Sequence, residues 1–302
     1  MTGIAPTAAL LAEVFPGTRV SRPDYLRWLY EQSPFGLVIE ANLDDELGRA
    51  GHYAVVPIAL TRDGAPLDGA LSLNTAVHER ARGGGTFVRL AKETYAEARR
   101  RGIRTVLGVG NANSTHGLVH RLGFEFVSAL PATILLPTPG PRVKVRSAWA
   151  DPAAFTGGGI AADLTPLLSA PARGIARTWT PETLRWRLGD PGMRYALHRT
   201  SDALVVSCRD QRHGAGVALL LKVFAAAEVP AARCRALVRA VCRFHRAPVA
   251  LHVGLNDLAS FGGFPLPKRL RERPLNLVYK SLDDEPLPSS ISRFEFLDFD
   301  AY

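Results

Sequence analysis

The chain has little sulfur: three cysteines, Cys208, Cys234 and Cys242, and two methionines in 302 residues. The cysteines are odd in number, all lie in the second half and form no Cys-x-x-Cys pair. That excludes a disulfide-stapled scaffold and a paired-thiol zinc or redox motif, and free thiols in a reducing cytoplasm are expected. No His, Cys, Asp and Glu cluster has metal-ligand spacing, so no metal is expected. The Gly-x-Ser-x-Gly elbow of a serine hydrolase is missing. No apolar run reaches the ~18 to 20 residues that span a bilayer. No basic stretch followed by an apolar core opens the sequence, so no secretory leader is expected.

Acidic charge is the scarcer sign, with 28 Asp and Glu against 37 Lys and Arg, a net charge of +9. A nucleic-acid binder concentrates such an excess in runs with interleaved aromatics. Here the densest clusters, Arg99 to Arg101 and Lys268 to Arg273, are short. The first falls in the last turn of an expected helix, where cations suit the dipole. Dispersed charge argues against a nucleic-acid partner and supplies a general field that favours a small anionic ligand.

What is present is a 47% hydrophobic chain, long enough for two domains of about 150 residues. It is organised around one stretch, residues 69–124. Gly69 to Val77 reads as a buried strand. Arg80-Ala-Arg82-Gly83-Gly84-Gly85 breaks it, and a helix runs from Thr86 to Arg101. A second strand, Arg104 to Val109, leads to Asn111-Ala-Asn113-Ser114-Thr115, a short helix and Arg121-Leu-Gly123-Phe124. A strand that enters a helix through glycines presents unpaired N–H groups at the positive end of the helix dipole, where an anion binds. No Gly-Lys-Ser/Thr follows the glycines, so the turn is not a P-loop, and Gly-x-Gly-x-x-Gly is absent from it.

Arg80-x-x-Gly83-x-Gly85, with a strand before and a helix after, resembles the pyrophosphate loop of the GNAT family of acyl-CoA-dependent N-acyltransferases. Asn111, Asn113 and Arg121-Leu-Gly-Phe124 fall where that family has its second motif. The resemblance implies that acetyl-CoA or another acyl-CoA is the co-substrate. It implies contacts from Ala76, Val77, Arg80, Arg82, Gly83, Gly84, Gly85, Thr86, Asn111 and Asn113, and two strands that splay to admit the pantetheine arm.

N-acyl transfer needs a base for the amine and an acid for the leaving thiolate. Many GNAT enzymes place a tyrosine four residues before the Gly-Phe pair as that acid, and here the position is Val119. His116 and His120, or the hydroxyls Ser114 and Thr115, are alternatives; a solvated helix face is the rival account of the two histidines. Asn74 on the strand facing the cleft is a candidate to hold a water or the substrate. His78, and His52 with Tyr53 on an adjacent strand, are titratable candidates on the acceptor side, with a buried structural role as the rival.

The second half repeats the first faintly. Thr183-Leu-Arg-Trp186-Arg-Leu188 matches Tyr25-Leu-Arg-Trp28-Leu-Tyr30. Val249 to Asn256 echoes Val106 to Asn111, and Gly262-Gly263-Phe264 stands where Leu122-Gly123-Phe124 stands. Glu228-Val-Pro230-Ala-Ala replaces the phosphate loop, and proline there loses a donor. His213 and His245 in this copy are expected at the surface. The alternating tail, Phe294 to Tyr302, suits an edge strand or a cap over a cleft, with Asp298 or Asp300 facing a cationic amine.

The expected architecture is α/β (α+β): two GNAT-like domains, each a mixed, mostly antiparallel central sheet flanked by helices. They span 1–137 and 176–302, with an irregular linker over 138–175. The expected function is an N-acyltransferase, catalytic in the first copy, acting on a small polar amine such as an amino sugar. A non-catalytic acyl-CoA-binding sensor or scaffold is the alternative.

Overall fold

The computed structural model describes residues 3–210, 216–267, 274–283 and 290–299. The basic cluster at 268–273, His213, Asp300 and Tyr302 lie outside the described residues, as does the side chain of Asn113. The first half runs α1 (Ile4–Val14), α2 (Pro23–Glu31), β1 (Ile39–Asp45), β2 (Gly48–Arg62), β3 (Ala65–Val77), α3 (Thr86–Arg100), β4 (Thr105–Gly110), α4 (Ala112–Leu122), β5 (Glu125–Ala129) and β6 (Ala132–Leu135). Then follow β7 (Arg146–Trp149), α5 (Thr165–Leu168), β8 (Ile175–Arg177), α6 (Pro181–Leu188), β9 (Ala196–Arg199), β10 (Ala203–Arg209), β11 (Ala218–Ala225), α7 (Ala231–His245), β12 (Ala250–Leu255), β13 (Phe264–Pro265), β14 (Asn276–Ser281) and β15 (Phe294–Glu295).

Two mixed sheets result. The first has the order β1-β2-β3-β4-β14-β5, with β8 against β2; the second is β13-β6-β12-β11-β10-β9-β7, with β15 against β12. Six strands of each sheet correspond in order, β1-β2-β3-β4-β14-β5 with β9-β10-β11-β12-β6-β13, and the halves exchange the fifth of them. β6 lies between β12 and β13, while β14 lies between β4 and β5. The apolar stretch from Glu125 to Leu135 is therefore two strands in different sheets, broken at Leu130-Pro131, where proline has no N–H for a ladder. Cutting the chain at 137 would leave β6 on the far side of the boundary from its sheet. Residues 138–175 also contribute more than a connection, since Ala154, Ile160, Ala161, Leu164 and Leu167 are buried in the central core.

Period-two alternation sets the layers. In β2, Tyr53 and Val55 pack toward α3 and α4, while Ala54 and Val56 pack toward α1 and α2. α3 buries Leu90, Ala91, Thr94, Tyr95 and Ala98, a stripe at helical spacing. α7 does the same for the second sheet with Cys234, Leu237, Val238, Val241, Cys242 and His245. Between the sheets lies the largest cluster, which joins Leu60, Leu71, Leu107 and Leu277 to Leu204, Val206, Leu219 and Val253. The repeated helices meet as well. Trp28 of α2 stacks on Trp186 of α6 with ring centroids 4.9 Å apart and planes 18° from parallel, and its Nε1–H donates to the Trp186 carbonyl at 3.1 Å. All three cysteines are free and buried.

Candidate functional site

β3 and β4 run parallel and pair from Gly69–Thr105 to Ser72–Gly108. Beyond Ser72, β3 continues to Val77 and β4 to Gly110, but they no longer pair with each other. A bulge lies at the parting: His52 faces Ala76 and Ala54 faces Leu73, so one residue of β2 opposes two of β3. Asn74, in the bulge, has φ 52°, a left-handed conformation that asparagine tolerates better than most residues. His78 N–H donates to the Ala50 carbonyl at 2.9 Å, which fixes the alternation of the ladder. Ala76 accordingly bonds to β2, while the N–H and C=O of Val77 turn to the gap.

The glycine turn follows directly. Gly83, Gly84 and Gly85 have φ of 90°, 54° and 76°, and α3 starts at Thr86. Three successive left-handed residues are cheap only for glycine. A Cβ at any of them would meet no atom within 4 Å, so these glycines serve backbone conformation and exposure rather than tight packing. No side chain caps α3. Thr86 N–H turns back to the Gly83 carbonyl at 3.3 Å, which leaves the N–H groups of Phe87 and Val88, at the positive end of the dipole beside the strand gap, to hold an anion.

The two arginines are less available than their sequence position suggests. Arg80 bonds Asp45 through Nε at 2.8 Å and the Arg49 carbonyl at 3.2 Å. Its charge is thus largely spent on the β1–β2 turn. Arg82 donates from Nε to the Val77 carbonyl at 3.2 Å and lies 3.5 Å from Glu79, which pins it across the mouth of the gap. Asn111 has a helix-capping role: its Oδ1 accepts from Ser114 N–H at 3.0 Å as α4 begins.

His52 and Tyr53, adjacent in sequence, point to opposite faces of the sheet. Both are 0% exposed. The His52 ring lies toward α2, where Nδ1 is 2.7 Å from Asn42 Oδ1 and Nε2 is 3.0 Å from the Tyr30 hydroxyl. Asn74 Nδ2 donates to that hydroxyl at 3.3 Å. One assignment satisfies every group: Asn74 to Tyr30, Tyr30 to His52 Nε2, and His52 Nδ1–H to Asn42. Burial, with the Arg49 charge nearby, lowers the His52 pKa to about 3, so the ring is neutral and its approach to Glu40 at 3.5 Å is no ion pair near neutral pH. Tyr53 reaches the other way, its hydroxyl 3.0 Å from Ser72 Oγ and bonded to the Tyr95 hydroxyl. Ser72 is the last paired residue before the strands part. Sequence reasoning missed Tyr30, Ser72 and Tyr95; the two tyrosines sit at core positions of amphipathic helices, and a core position does not reveal what a hydroxyl meets.

His78 caps the short helical turn at Glu79–Ala81, its Nδ1 accepting from Arg80 N–H at 3.2 Å, while Nε2 lies 3.2 Å from Glu13 of α1. His116 and His120 are exposed, with ring centroids 4.5 Å apart. Val119 packs instead with Phe87 and Val88 against the core beneath α3 and α4.

The second half has the same parting and fills it. β11 and β12 pair from Ala218–Ala250 to Leu220–His252, and then β15 pairs with β12 at Gly254–Glu295 and Leu255–Phe294. Glu295 Oε2 accepts from Asn256 at 2.9 Å and from Val223 N–H of β11 at 3.4 Å, so the tail bridges both strands. Behind it Lys222 Nζ lies 2.6 Å from Asp298 and 3.2 Å from Glu295. His252 meets Glu295 at 2.9 Å, and Trp179 Nε1 donates to Asp298 at 3.0 Å. Asp298 is 0% exposed and fully engaged, which corrects the expectation that it faces a substrate amine. Gly254 permits the approach: at φ 134° its Cβ would lie 2.4 Å from the Phe294 carbonyl and 2.5 Å from Glu295 Cα. Gly254→Ala is expected to cost about 2–4 kcal/mol in urea unfolding and to expose the tail to protease. An unchanged midpoint with a protected tail would contradict this packing.

No family model and no curated protein matches the sequence. Solved structures do match the fold. A GCN5-related N-acetyltransferase from Anabaena variabilis superposes with a TM-score of 0.64 at 9% identity, over 92% of this chain and 70% of that one. A tandem GNAT protein from the clavulanic acid biosynthesis pathway gives 0.56 at 12% identity, over 93% and 94%. The chain has the doubled GNAT fold. Saccharomyces cerevisiae N-myristoyltransferase with bound myristoyl-CoA shares it at a TM-score of 0.59 and 12% identity, over 91% and 78%. The fold is therefore the one these structures share, with mixed sheets flanked by helices as expected. Within this GNAT fold the glycine turn and the open gap where β3 and β4 part from each other belong to the first half, and the tail-filled gap belongs to the second.

Proposed function

We propose that the chain is an acyl-CoA-dependent N-acyltransferase whose one donor site is the gap between β3 and β4. The observation that carries this reading is the parting of the two strands after Ser72 and Gly108, immediately beside three left-handed glycines that open α3. The pyrophosphate of CoA lies on the turn from Arg82 to Thr86. The pantetheine arm runs along Val77 with amide-to-backbone hydrogen bonds, and acetyl-CoA is the donor of first choice. The acceptor is a small polar amine, of which an amino sugar is one class. Half-buried Asn74 and Thr75 at the bulge, with Tyr30 behind Asn74, support a polar acceptor.

In the reaction the amine nitrogen attacks the thioester carbonyl, the C–S bond breaks, and the amine proton leaves as the thiolate gains one. Neither His52 nor Tyr53 is open to the gap as a base, so water held by Asn74 takes the first proton. The packed Val119 leaves no hydroxyl at the family's usual acid position. That observation favours a second reading, a non-catalytic acyl-CoA sensor, which binds CoA but releases no thiol when amines are added.

Gly85→Glu tests the donor site. A Cβ at this position has no atom within 4 Å, and a carboxylate suits a helix N-terminus, so the fold is retained. Left-handed strain and charge repulsion should weaken acetyl-CoA binding at least about tenfold in calorimetry, from a wild-type stoichiometry of one per chain. Unchanged affinity in the folded variant would place CoA elsewhere.

A further inference from the structure

At the C-terminal end of α7 a cavity of about 770 Å³ opens on the second half, lined by segments far apart in sequence. Trp149 of β7 and Phe244 of α7 form its aromatic wall, with ring centroids 4.8 Å apart, and the Arg194 guanidinium lies 3.9 Å from the Trp149 ring. Arg209 and Arg246 also line it. Among the described residues no carboxylate pairs with Arg194, Arg209 or Arg246. Arg19, on the same wall, is neutralised by Asp190, and among the described residues Asp210 is the one acid of the lining. Guanidiniums gathered around a concave aromatic surface favour a planar anion.

The inner wall adds a polar group aimed by a buried chain. His245, expected at the surface, is only 4% exposed. Its Nε2 lies 2.8 Å from Ser207 Oγ, Ser207 Oγ lies 2.8 Å from His198 Nε2, and His198 Nδ1 lies 2.8 Å from Ser147 Oγ. Among the described residues no partner meets His245 Nδ1. A chain of alternating hydroxyls and neutral imidazoles has two self-consistent polarities. In one, Ser147 donates to His198, His198 to Ser207 and Ser207 to His245 Nε2, so that Nδ1 carries a hydrogen. In the other every bond reverses and Nδ1 presents a lone pair. An anion in the cavity selects the first.

We propose that this cavity binds a small aromatic anion, its ring among Trp149 and Phe244 and its phosphate or carboxylate held by Arg194, Arg209, Arg246 and the Nδ1–H of His245. The site is separate from the CoA gap and does not depend on the acyltransferase reading. Phenyl phosphate is the probe, titrated into the full chain by calorimetry beside cyclohexyl phosphate and inorganic phosphate. One equivalent of phenyl phosphate should bind, at least about tenfold more tightly than either control. Arg246→Ala and Arg209→Ala should each weaken it about tenfold or more. Ser207→Ala removes the donor that sets the polarity. It should weaken binding and abolish the shift toward the Nδ1–H tautomer that imidazole nitrogen NMR otherwise shows for His245. The Gly85→Glu variant should bind phenyl phosphate normally. Equal affinity for inorganic phosphate, displacement by acetyl-CoA, or binding undiminished in the arginine variants would each overturn the assignment, as would no binding at millimolar concentration.

Discussion

Replacing Asp298 with alanine should unfold this protein far more readily than an ordinary substitution near a chain terminus would. The carboxylate is completely buried and holds Lys222, Trp179 Nε1 and the Glu295 backbone N–H, the last at 2.7 Å. For Lys222, burial favours the uncharged amine, but Asp298 and Glu295 outweigh it and hold the pKa above its ordinary value. For Glu295, burial pushes the carboxyl up, and Lys222, His252 and Asn256 outweigh that and hold it below its ordinary value. Removing Asp298 leaves an ammonium in the core with half its compensation. Breaking a buried pair from one side costs about 3–5 kcal/mol, a large share of the 5–15 kcal/mol typical of a domain. Urea unfolding should show that loss. Replacing Lys222, Glu295 and Asp298 together with apolar residues of similar size should recover most of it, because the cost lies in the uncompensated charge. A loss below about 1 kcal/mol for Asp298→Ala would mean that the tail does not fill the second gap in solution.

The tail shows where sequence reading stops. Its alternation of acidic and apolar residues suits an extended segment with one buried face, but only Phe294–Glu295 is strand, and from Phe294 to Phe299 acidic and apolar residues alike are buried. The pattern carries no information on which strand it joins, and Asp298 in isolation reads as a surface acid. The counter-charge that makes its burial tolerable, Lys222, is 76 residues away. The exchanged strands β6 and β14 were hidden for the same reason. Local alternation predicts a strand, whereas its neighbours are settled by tertiary packing. The glycine turn was legible because its chemistry is local: three glycines between a strand and a helix leave few other uses. The likeness of Tyr25 to Tyr30 and Thr183 to Leu188 was legible too, and the structure gives it a contact, the Trp28–Trp186 stack. The opposed directions of His52 and Tyr53 were available from period-two alternation alone. His245 fits the spacing of the buried stripe on α7, Leu237, Val238, Val241 and Cys242, so its burial was legible in the periodicity as well.

Mild acid should destabilise the fold well above the pH at which carboxylates are ordinarily protonated. Burial lowers His52 and His198 to about 3 and His245 to about 4, against 6.5 in the unfolded chain, with Arg49, His245 and Arg209 respectively adding to the effect. Below pH 6.5 the unfolded state therefore binds protons that the folded state refuses. The stability carried by the neutral rings is complete above 6.5 and falls as the pH drops toward 4. Each histidine contributes up to about 1.4 kcal/mol per pH unit, so the three together lose roughly 4 kcal/mol per unit once the unfolded rings are charged. Glu40 opposes this in part: burial raises its pKa above its ordinary value, so the folded state gains a proton there first. Glu295, held low, adds its own loss below about 4.5. Urea midpoints at pH 7, 6 and 5 should fall with increasing steepness, and the protein should be largely unfolded without denaturant between pH 4 and 5. His198→Gln keeps an amide for Ser147 and Ser207 but cannot titrate, so it should reduce the proton uptake on unfolding at pH 5 by about one. A midpoint that stays level from pH 7 to 5 would show that water reaches these rings and that the buried imidazole network is not closed.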